Sequence, residues 1–357
     1  MKLTREIGEQ ILLGGWFLGG GGGGLPAGGK EVLDMVLRTG EVEFVSIDTF
    51  GDDDVLVTGS LVGSPASKES CVLEHHYSNT YKAFCAQYDK PIAAFVTNEA
   101  GVHSITNGWM LAALTGKPMV DAACNGRAHP TGVMGSMGLH AEPGYRSLQV
   151  CAGGRGEKEI ELNVTGTVDS ASQAVRTASI LAGGMVTVIR NPVTAKYFRE
   201  NGAIGCVTQA MEVGRRWMQD MHSLDALLDG LGETLASRTL GVGKITALGL
   251  EIKGGFDVGT VAVDCGTPLE VTFMNEYMTA ECGGVRAATF PDLIMTIDAA
   301  TRLPICSAQL EEGMEIAVVA VPREKLKLGR GMRMPELFVP CENATGKEMR
   351  NYVFGAP

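Results

Sequence analysis

The sequence predicts an α/β protein, with an N-terminal α/β domain built on parallel strands and a β-rich C-terminal domain of the sandwich or barrel type. In the first half, an apolar run at 91–97, helical spacing over 105–114 and a second run at 118–120 follow one another. This strand, helix and strand order is typical of a right-handed crossover between parallel strands. After residue 241, short β-type runs alternate with glycine-rich breaks, which favours antiparallel strands.

Composition sets the size of the core and the class of partner. The chain has 357 residues, 45% of them hydrophobic, which suffices for more than one domain. We expect an α/β domain at 1–165, an α/β connecting region at 166–240 and a β-rich domain at 241–357. A net charge of −11 argues against binding to nucleic acid or to an anionic membrane. A small molecule is the expected partner, and the glycine and methionine content would suit a homo-oligomer.

The start of the chain and the cysteines bear on the compartment. The first residues lack the pattern of a secretory signal, and no apolar stretch reaches membrane-spanning length. The nine cysteines are an odd number without a CxxC pair, as expected for reduced thiols. We therefore expect a cytoplasmic protein.

A run of six glycines at 19–24 separates two predicted helices, at 3–18 and 30–37. Glycines before a helix can present backbone N–H groups to an anion, so Gly21, Gly22 and Gly23 are candidates for binding a substrate carboxylate. Alternatively, the glycine run forms a flexible turn or a lid. The run matches neither the dinucleotide fingerprint nor the P-loop, which makes ATP a less expected ligand.

Further elements are predicted from periodicity. A helix starting near Ser67 would place Cys71 and His75 one turn apart, where they could share a metal, although two ligands alone favour ordinary packing. The other predicted helices lie at 169–181 and within 206–236. The other predicted strands are 42–47, 55–58, 147–152, 159–164, 185–189, 244–253, 260–264, 269–274, 293–297 and 316–321.

Chemically active side chains follow the two central strands. Glu99 comes after the first and Asp121 after the second, and the carboxyl ends of parallel strands meet at one edge, where such sheets bind ligands. A helix cap or a turn is the alternative role for either acid. Cys124, Arg127 and His129 follow directly, so a thiol, a guanidinium and an imidazole join the same edge.

The β-rich half adds one further candidate. Glu276 comes directly after an apolar strand, and an unpaired carboxylate is costly to bury there. We therefore expect Glu276 to face a cleft.

Five short motifs, taken in order, resemble a bacterial family of formerly unknown function that is associated with S-methyl-thiohydantoin desulfurase. The resemblance covers nearly the whole chain. It implies an N-terminal α/β domain, a β-rich C-terminal domain and a role in thiohydantoin and hydantoin metabolism, often beside hydantoinase/oxoprolinase proteins. The motifs are LGGGGGG at 18–24, Asn98-Glu99-Ala100-Gly101, Asp121 with Gly126-Arg127-Ala128 and Pro130, Asn275-Glu276, and Pro291-Asp292-Leu293-Ile294.

The chain departs from the family pattern at three places. Ala123-Cys124-Asn125 stands where an Asp-Gly-Met lead is common, His129 replaces a phenylalanine, and Gly101-Val102-His103 replaces a Gly-Gly-Asn-like continuation. These changes put sulfur and nitrogen donors in the region of the acids, which suggests a subfamily with its own chemistry.

The resemblance implies hydrolysis at C2 of a thiohydantoin, the ring carbon that carries sulfur. Zinc suits this step, because it activates water and binds sulfur. The hypothesis is that Cys124 and His129 bind zinc, with His103 or His75 as a further ligand. Glu99 or Asp121 would act as the base or as a fourth ligand, and Arg127 would pair with a substrate carboxylate. In a second version, His129 activates Cys124 as a nucleophile.

Other readings of the same residues stay open. Cys124 would be a small buried side chain, His129 would fix a turn, and Arg127 would bridge Asp121. At the level of function, the chain would be a non-catalytic partner subunit or small-molecule binding protein of a hydantoinase/oxoprolinase system, or a cyclic-amide hydrolase without sulfur chemistry. Release of sulfide or methanethiol by the purified protein separates these alternatives.

Overall fold

The computed structural model describes residues 1–63, 69–253 and 255–355. Within these residues the chain forms two eight-stranded sheets, with helices packed against the first. The helices are α1 Arg5–Leu18, α2 Pro26–Thr39, α3 Glu74–Gln87, α4 Trp109–Thr115, α5 Val168–Leu181, α6 Ala195–Asn201, α7 Cys206–Asp220, α8 Leu224–Leu235, α9 Val339–Thr345 and α10 Arg350–Phe354.

The first sheet is mixed. Its strands are β1 Phe44–Val45, β2 Val55–Gly63, β3 Ile92–Glu99, β4 Met119–Asn125, β5 Ser147–Gly153, β6 Ile160–Gly166, β7 Met185–Thr194 and β8 Ala203–Ile204. They run in the order β1-β4-β3-β2-β7-β5-β6, with β8 beside β4. Strands β1 to β4 pair in parallel and the others antiparallel, so the predicted parallel core is confirmed. The segment 166–240 supplies β7 to the middle of this sheet.

The second sheet is antiparallel throughout, as the β-rich pattern predicted. Its order is β13-β12-β11-β10-β9-β16-β14-β15. The sheet curls until β12 contacts β14, where Tyr277 Oη and Thr296 Oγ1 lie 2.7 Å apart. The strands are β9 Arg238–Lys253, β10 Phe256–Cys265, β11 Thr267–Met274, β12 Glu276–Cys282, β13 Val285–Thr289, β14 Leu293–Asp298, β15 Pro304–Ile305 and β16 Glu315–Val321.

Helices α1 and α7 cross closely on one face of the first sheet. A Cβ atom at Gly14 would lie 1.8 Å from the carbonyl oxygen of Ala210, so the two backbones meet only because this position is glycine. Beside the crossing, Phe17 and Trp217 pack with ring centroids 5.3 Å apart and are fully buried. This contact fixes the end of α1, from which the glycine run enters the site.

The structure corrects two predicted boundaries. Helix α3 begins at Glu74, where the Leu73 N–H donates to Nδ1 of His76 at 2.8 Å, so Cys71 lies before the helix and is not one helical turn from His75. The predicted start near Ser67 lies outside the described residues. Strand β4 continues to Asn125, well beyond the predicted end at residue 120. In the described part of the chain, no helix combines the length and apolarity needed to span a membrane.

Candidate functional site

A cavity of about 260 Å³ lies at the carboxyl ends of β2 and β3, against the loops of the second sheet. This is the edge at which the sequence predicted a site, and it is where parallel sheets bind ligands. Seven of the sequence-predicted residues line it: Gly21, Gly22, Gly23, Glu99, His103, His129 and Glu276.

Glu99 and His129 form the centre of the cavity. Glu99 is the last residue of β3, and His129 lies in the loop that follows β4. The backbone N–H of His129 donates to Oε2 of Glu99 at 3.3 Å, and the ring Nε2 lies 3.3 Å from the same oxygen. Among the described residues, neither ring nitrogen has a hydrogen-bond partner of good geometry.

Burial sets the protonation of this pair. It raises the pKa of Glu99 to about 7, and the pKa of His129 falls to about 3 through burial and the nearby charge of Arg190. At neutral pH the imidazole is therefore neutral, and the contact is not an ion pair despite its short distance. Glu99 divides between its acid and its base form, which is the property of a carboxyl group that transfers protons.

A second buried carboxyl group comes from the other sheet. Glu276 begins β12 and is 3% exposed, and its Oε2 has no hydrogen-bond partner among the described residues. Burial and the neighbouring Glu99 hold the pKa of Glu276 well above its usual range, against the attraction of Arg127. Two carboxyl groups from different sheets thus share one cavity, and burial raises the pKa of both.

The glycine run makes this junction between the sheets. The carbonyl oxygens of Gly20 and Gly21 accept the N–H groups of Tyr277 and Ser307 at 2.8 and 2.9 Å. A Cβ atom at Gly22 would lie 1.9 Å from Oε1 of Glu276, so a side chain there would displace this carboxyl group. The run is a close-packed part of the site, and the N–H groups of Gly21 and Gly23 make no hydrogen bond within the described chain.

Comparison with known proteins bears directly on this arrangement. A family model described as "S-Me-THD-like, N-terminal domain" matches residues 8–160, and one described as "S-Me-THD-like, C-terminal domain" matches residues 167–336. The chain belongs to the S-Me-THD-like family. The resemblance inferred from the five sequence motifs is thereby confirmed.

The fold of this S-Me-THD-like chain is also found in a crystal structure of a protein from Chromobacterium violaceum. The two share 20% sequence identity with a TM-score of 0.73, and the match covers 96% of this chain and 97% of the other. At this identity the similarity shows the fold alone. No curated protein matches the chain.

Arg127 does not have the substrate-binding geometry that was predicted. Its guanidinium donates to the carbonyl oxygens of Ala128, Pro291 and Asp292 at 3.2, 3.2 and 2.6 Å, and lies 4.4 Å from the ring centroid of Phe290. The side chain is fully buried beside Glu276 and does not line the cavity. Arg127 therefore ties β4 to the second sheet and stabilises the neighbouring carboxyl group.

Asp121 lies away from the cavity, because β4 is longer than predicted. Glu99 pairs with Asn125, so Asp121 lies four residues back along its strand, about 13 Å away at the rise of a β-strand. Its two oxygens accept from the backbone N–H and the hydroxyl of Thr208, at 2.9 and 2.5 Å. Asp121 thus caps α7, the alternative role considered from the sequence.

Cys124 also lies outside the cavity. Its side chain faces a buried apolar cluster with Val120 and Ala122, and its Sγ is 3.3 Å from Oγ1 of Thr58. Burial raises the pKa of the Cys124 thiol to about 11, which disfavours both a nucleophilic thiolate and a zinc ligand. The predicted nucleophile is therefore a structural residue.

The predicted zinc trio is not assembled. Within the described ranges, a group of three or more candidate ligands with atoms within 4.8 Å of one another occurs only at His75, His76 and Glu159, so Cys124, His129 and His103 do not form one. His103 does line the cavity, packed over Gly24 and Gly28, and burial lowers its pKa to about 4.

The His75, His76 and Glu159 group is better explained by the start of α3. Nδ1 of His76 accepts the N–H of Leu73, so the neutral ring carries its proton on Nε2. That nitrogen lies 3.7 Å from Oε1 of Glu159 and has no lone pair to offer a metal. We therefore assign these residues a structural role at the N-terminus of α3.

Two arginines of the site were missed from the sequence. Arg176 of α5 lines the cavity, and Arg190 of β7 is buried close enough to Glu99 and His129 to affect both pKa values. The predicted strand at 185–189 stopped just short of Arg190. The sequence did contain a signal for Arg190, the lone arginine in the strand MVTVIRNPVT. Burying a charge in an apolar strand is costly, so such an arginine indicates a functional or pairing role.

Proposed function

We propose that this protein hydrolyses the C2–sulfur bond of a thiohydantoin-type ring, with Glu99 transferring the proton. The observation that carries the proposal is Glu99 itself, a buried carboxyl group whose pKa is raised to about 7, in contact with a neutral imidazole. Membership of the S-Me-THD-like family supports the substrate class.

In the proposed step, ionised Glu99 takes a proton from water as the water oxygen forms a bond to C2. The C2–sulfur bond then breaks as the added oxygen becomes the C2 carbonyl, and Glu99 returns its proton to the departing sulfur. The second proton of the water also goes to sulfur when the substrate is a thione, and goes to the ring nitrogen that was doubly bonded to C2 when the substrate is S-methylated. A C2 thione gives hydrogen sulfide, an S-methyl substrate gives methanethiol, and the ring is left as a C2 carbonyl in both cases. A group with a pKa near 7 performs both transfers at neutral pH.

His129 and Glu276 have supporting roles in this proposal. Neutral His129 offers one N–H donor and one lone pair, neither used within the described residues, to orient the water. Glu276 is kept protonated by burial, so that it donates a hydrogen bond to a ring heteroatom that gains negative charge. A protonated carboxyl group in an apolar site is a known way to supply such a donor.

Zinc remains part of the proposal, with a smaller ligand set. His129 and Glu99 would hold it, since Nε2 of the neutral imidazole lies 3.3 Å from Oε2 of Glu99. No described His, Cys, Asp or Glu completes a group of three with them in which all ligand atoms lie within 4.8 Å of one another, so water or substrate would fill the other positions. Bound zinc would supply a water of lowered pKa. Elemental analysis of the purified protein tests this role, and a metal-free preparation with full activity rejects zinc while leaving the Glu99 step intact.

The decisive experiment measures sulfide and methanethiol release from 2-thiohydantoin and S-methyl-2-thiohydantoin. We expect turnover by the wild type, a loss of about 100-fold or more in Glu99→Gln, and unchanged rates in the exposed control Glu157→Gln. Binding without turnover would instead support the partner-subunit function, in which a hydantoinase/oxoprolinase-type protein performs the chemistry. Faster hydrolysis of an oxygen-only cyclic amide would support the hydrolase without sulfur chemistry.

A further inference from the structure

The cavity wall contains a cation, Arg176, that has no counter-ion among the described residues. Arg176 lies on α5, its guanidinium carbon 5.4 Å from the ring centroid of Phe256, and it lines the cavity. Its guanidinium makes no hydrogen bond or ion pair with the described residues. The carboxylate of Asp257 belongs to the same wall and forms no ion pair with it.

A second unpaired cation lies behind the first. Arg190 is 6% exposed, and within the described chain its guanidinium has neither a hydrogen bond nor an ion pair. It pairs across the sheet with Thr58 and Gln149, and the side-chain oxygen of Gln149 is likewise unpaired among the described residues. A buried arginine in this state is costly unless an anion comes close during function.

The charges around the cavity do not balance. Arg127 donates to three backbone carbonyls, whereas Arg176 and Arg190 form no ion pair with the described residues. A net charge of −11 on the whole chain makes a cationic cavity a local feature rather than a general one.

We propose that Arg176 binds a carboxylate carried by the substrate outside the reacting ring, and that Arg190 strengthens this anion site from behind. The inference rests on the proposed function for the identity of the ring, and it moves the carboxylate-binding role from Arg127 to Arg176. The planar guanidinium, held against Phe256, presents paired N–H donors that match a carboxylate.

The test compares two unreactive ligands by calorimetry: hydantoin-5-acetate and its neutral amide. The wild type should bind the acid about 10 to 100 times more tightly, the range expected for a charged hydrogen-bonded pair. Arg176→Met should abolish this preference while still binding the amide. Arg155→Met, the same change at an exposed arginine away from the cavity, should retain it.

Two results would overturn the anion site: equal affinity of the wild type for acid and amide, or a preference that survives in Arg176→Met. Arg176→Gln, checked by circular dichroism, serves if the methionine variant misfolds. Turnover of 2-thiohydantoin-5-acetate and its amide is measured separately. If the wild type prefers to bind the acid but turns over neither compound, the proposed function is rejected and the anion site is kept. If it turns over the acid and the amide equally well, the proposed function is kept and the anion site is rejected.

Discussion

Replacing Glu99 by glutamine should inactivate the protein. The free energy of unfolding of the variant, minus that of the wild type, should also be larger above pH 7 than near pH 4.5. The side chain is buried, and its pKa is about 7 instead of the ordinary 4.5. In the unfolded chain the carboxyl group ionises first as the pH rises. The wild type therefore loses stability between pH 4.5 and 7, while the folded protein still holds the proton.

The size of the effect follows from the two pKa values. Each pH unit between them corresponds to about 1.4 kcal/mol, so the change from 4.5 to about 7 is worth about 3 kcal/mol in total. Below pH 4.5 both states are protonated and the contribution is absent. Above pH 7 both are ionised and the penalty is constant.

Urea unfolding of wild type and Glu99→Gln at pH 4.5, 6, 7 and 8 measures this difference. The free energy of unfolding of the variant, minus that of the wild type, should rise by about 3 kcal/mol from pH 4.5 to 7 and then level off. Glu157→Gln should show a difference independent of pH, because that side chain is exposed. A flat difference for Glu99→Gln would refute the raised pKa and with it the proton-transfer role.

Three further substitutions separate structural from catalytic residues. Asp121→Ala should lower the free energy of unfolding in urea by about 1 to 2 kcal/mol, because α7 loses the cap that Asp121 provides at Thr208, while kcat stays unchanged. Cys124→Ala should leave steady-state kinetics within about twofold of wild type, whereas loss of a nucleophile would cost several orders of magnitude. Arg127→Met should destabilise by about 3 kcal/mol or more in urea unfolding, because the carbonyl oxygens of Ala128, Pro291 and Asp292 lose their buried donor.

The fold was predictable because both halves carry clear periodicity. The run at 91–97 is apolar on both faces, as strand β3 requires: Phe95 enters one core, and Ala94 and Val96 enter another. The antiparallel pattern after residue 241 was equally direct. The length of β4 was not predictable, because Asp121 in a strand is satisfied only by Thr208, 87 residues later.

Two of the predicted site residues lie at sheet edges because local sequence decides their position. Glu99 ends its strand and Glu276 begins one, so both reach a sheet edge, and both line the cavity. Cys124 was placed wrongly, because its face depends on the register of β4. Arg176 was missed because the spacing of α5 marks it as an ordinary half-exposed helical residue. Only the tertiary structure places it in the cavity wall with no ion-pair partner among the described residues.

The position of the glycine run explains why the cavity requires both sheets. Gly22 lies against Glu276 so closely that any side chain would displace the carboxyl group, and the Gly20 carbonyl is hydrogen-bonded to the next residue of β12. The same contacts exclude water from Glu276 and raise its pKa, since burial is the leading cause of that rise. Close packing between the two sheets therefore favours the neutral form of Glu276 that the proposed function requires, and it explains why glycines, with no functional group of their own, belong to the site.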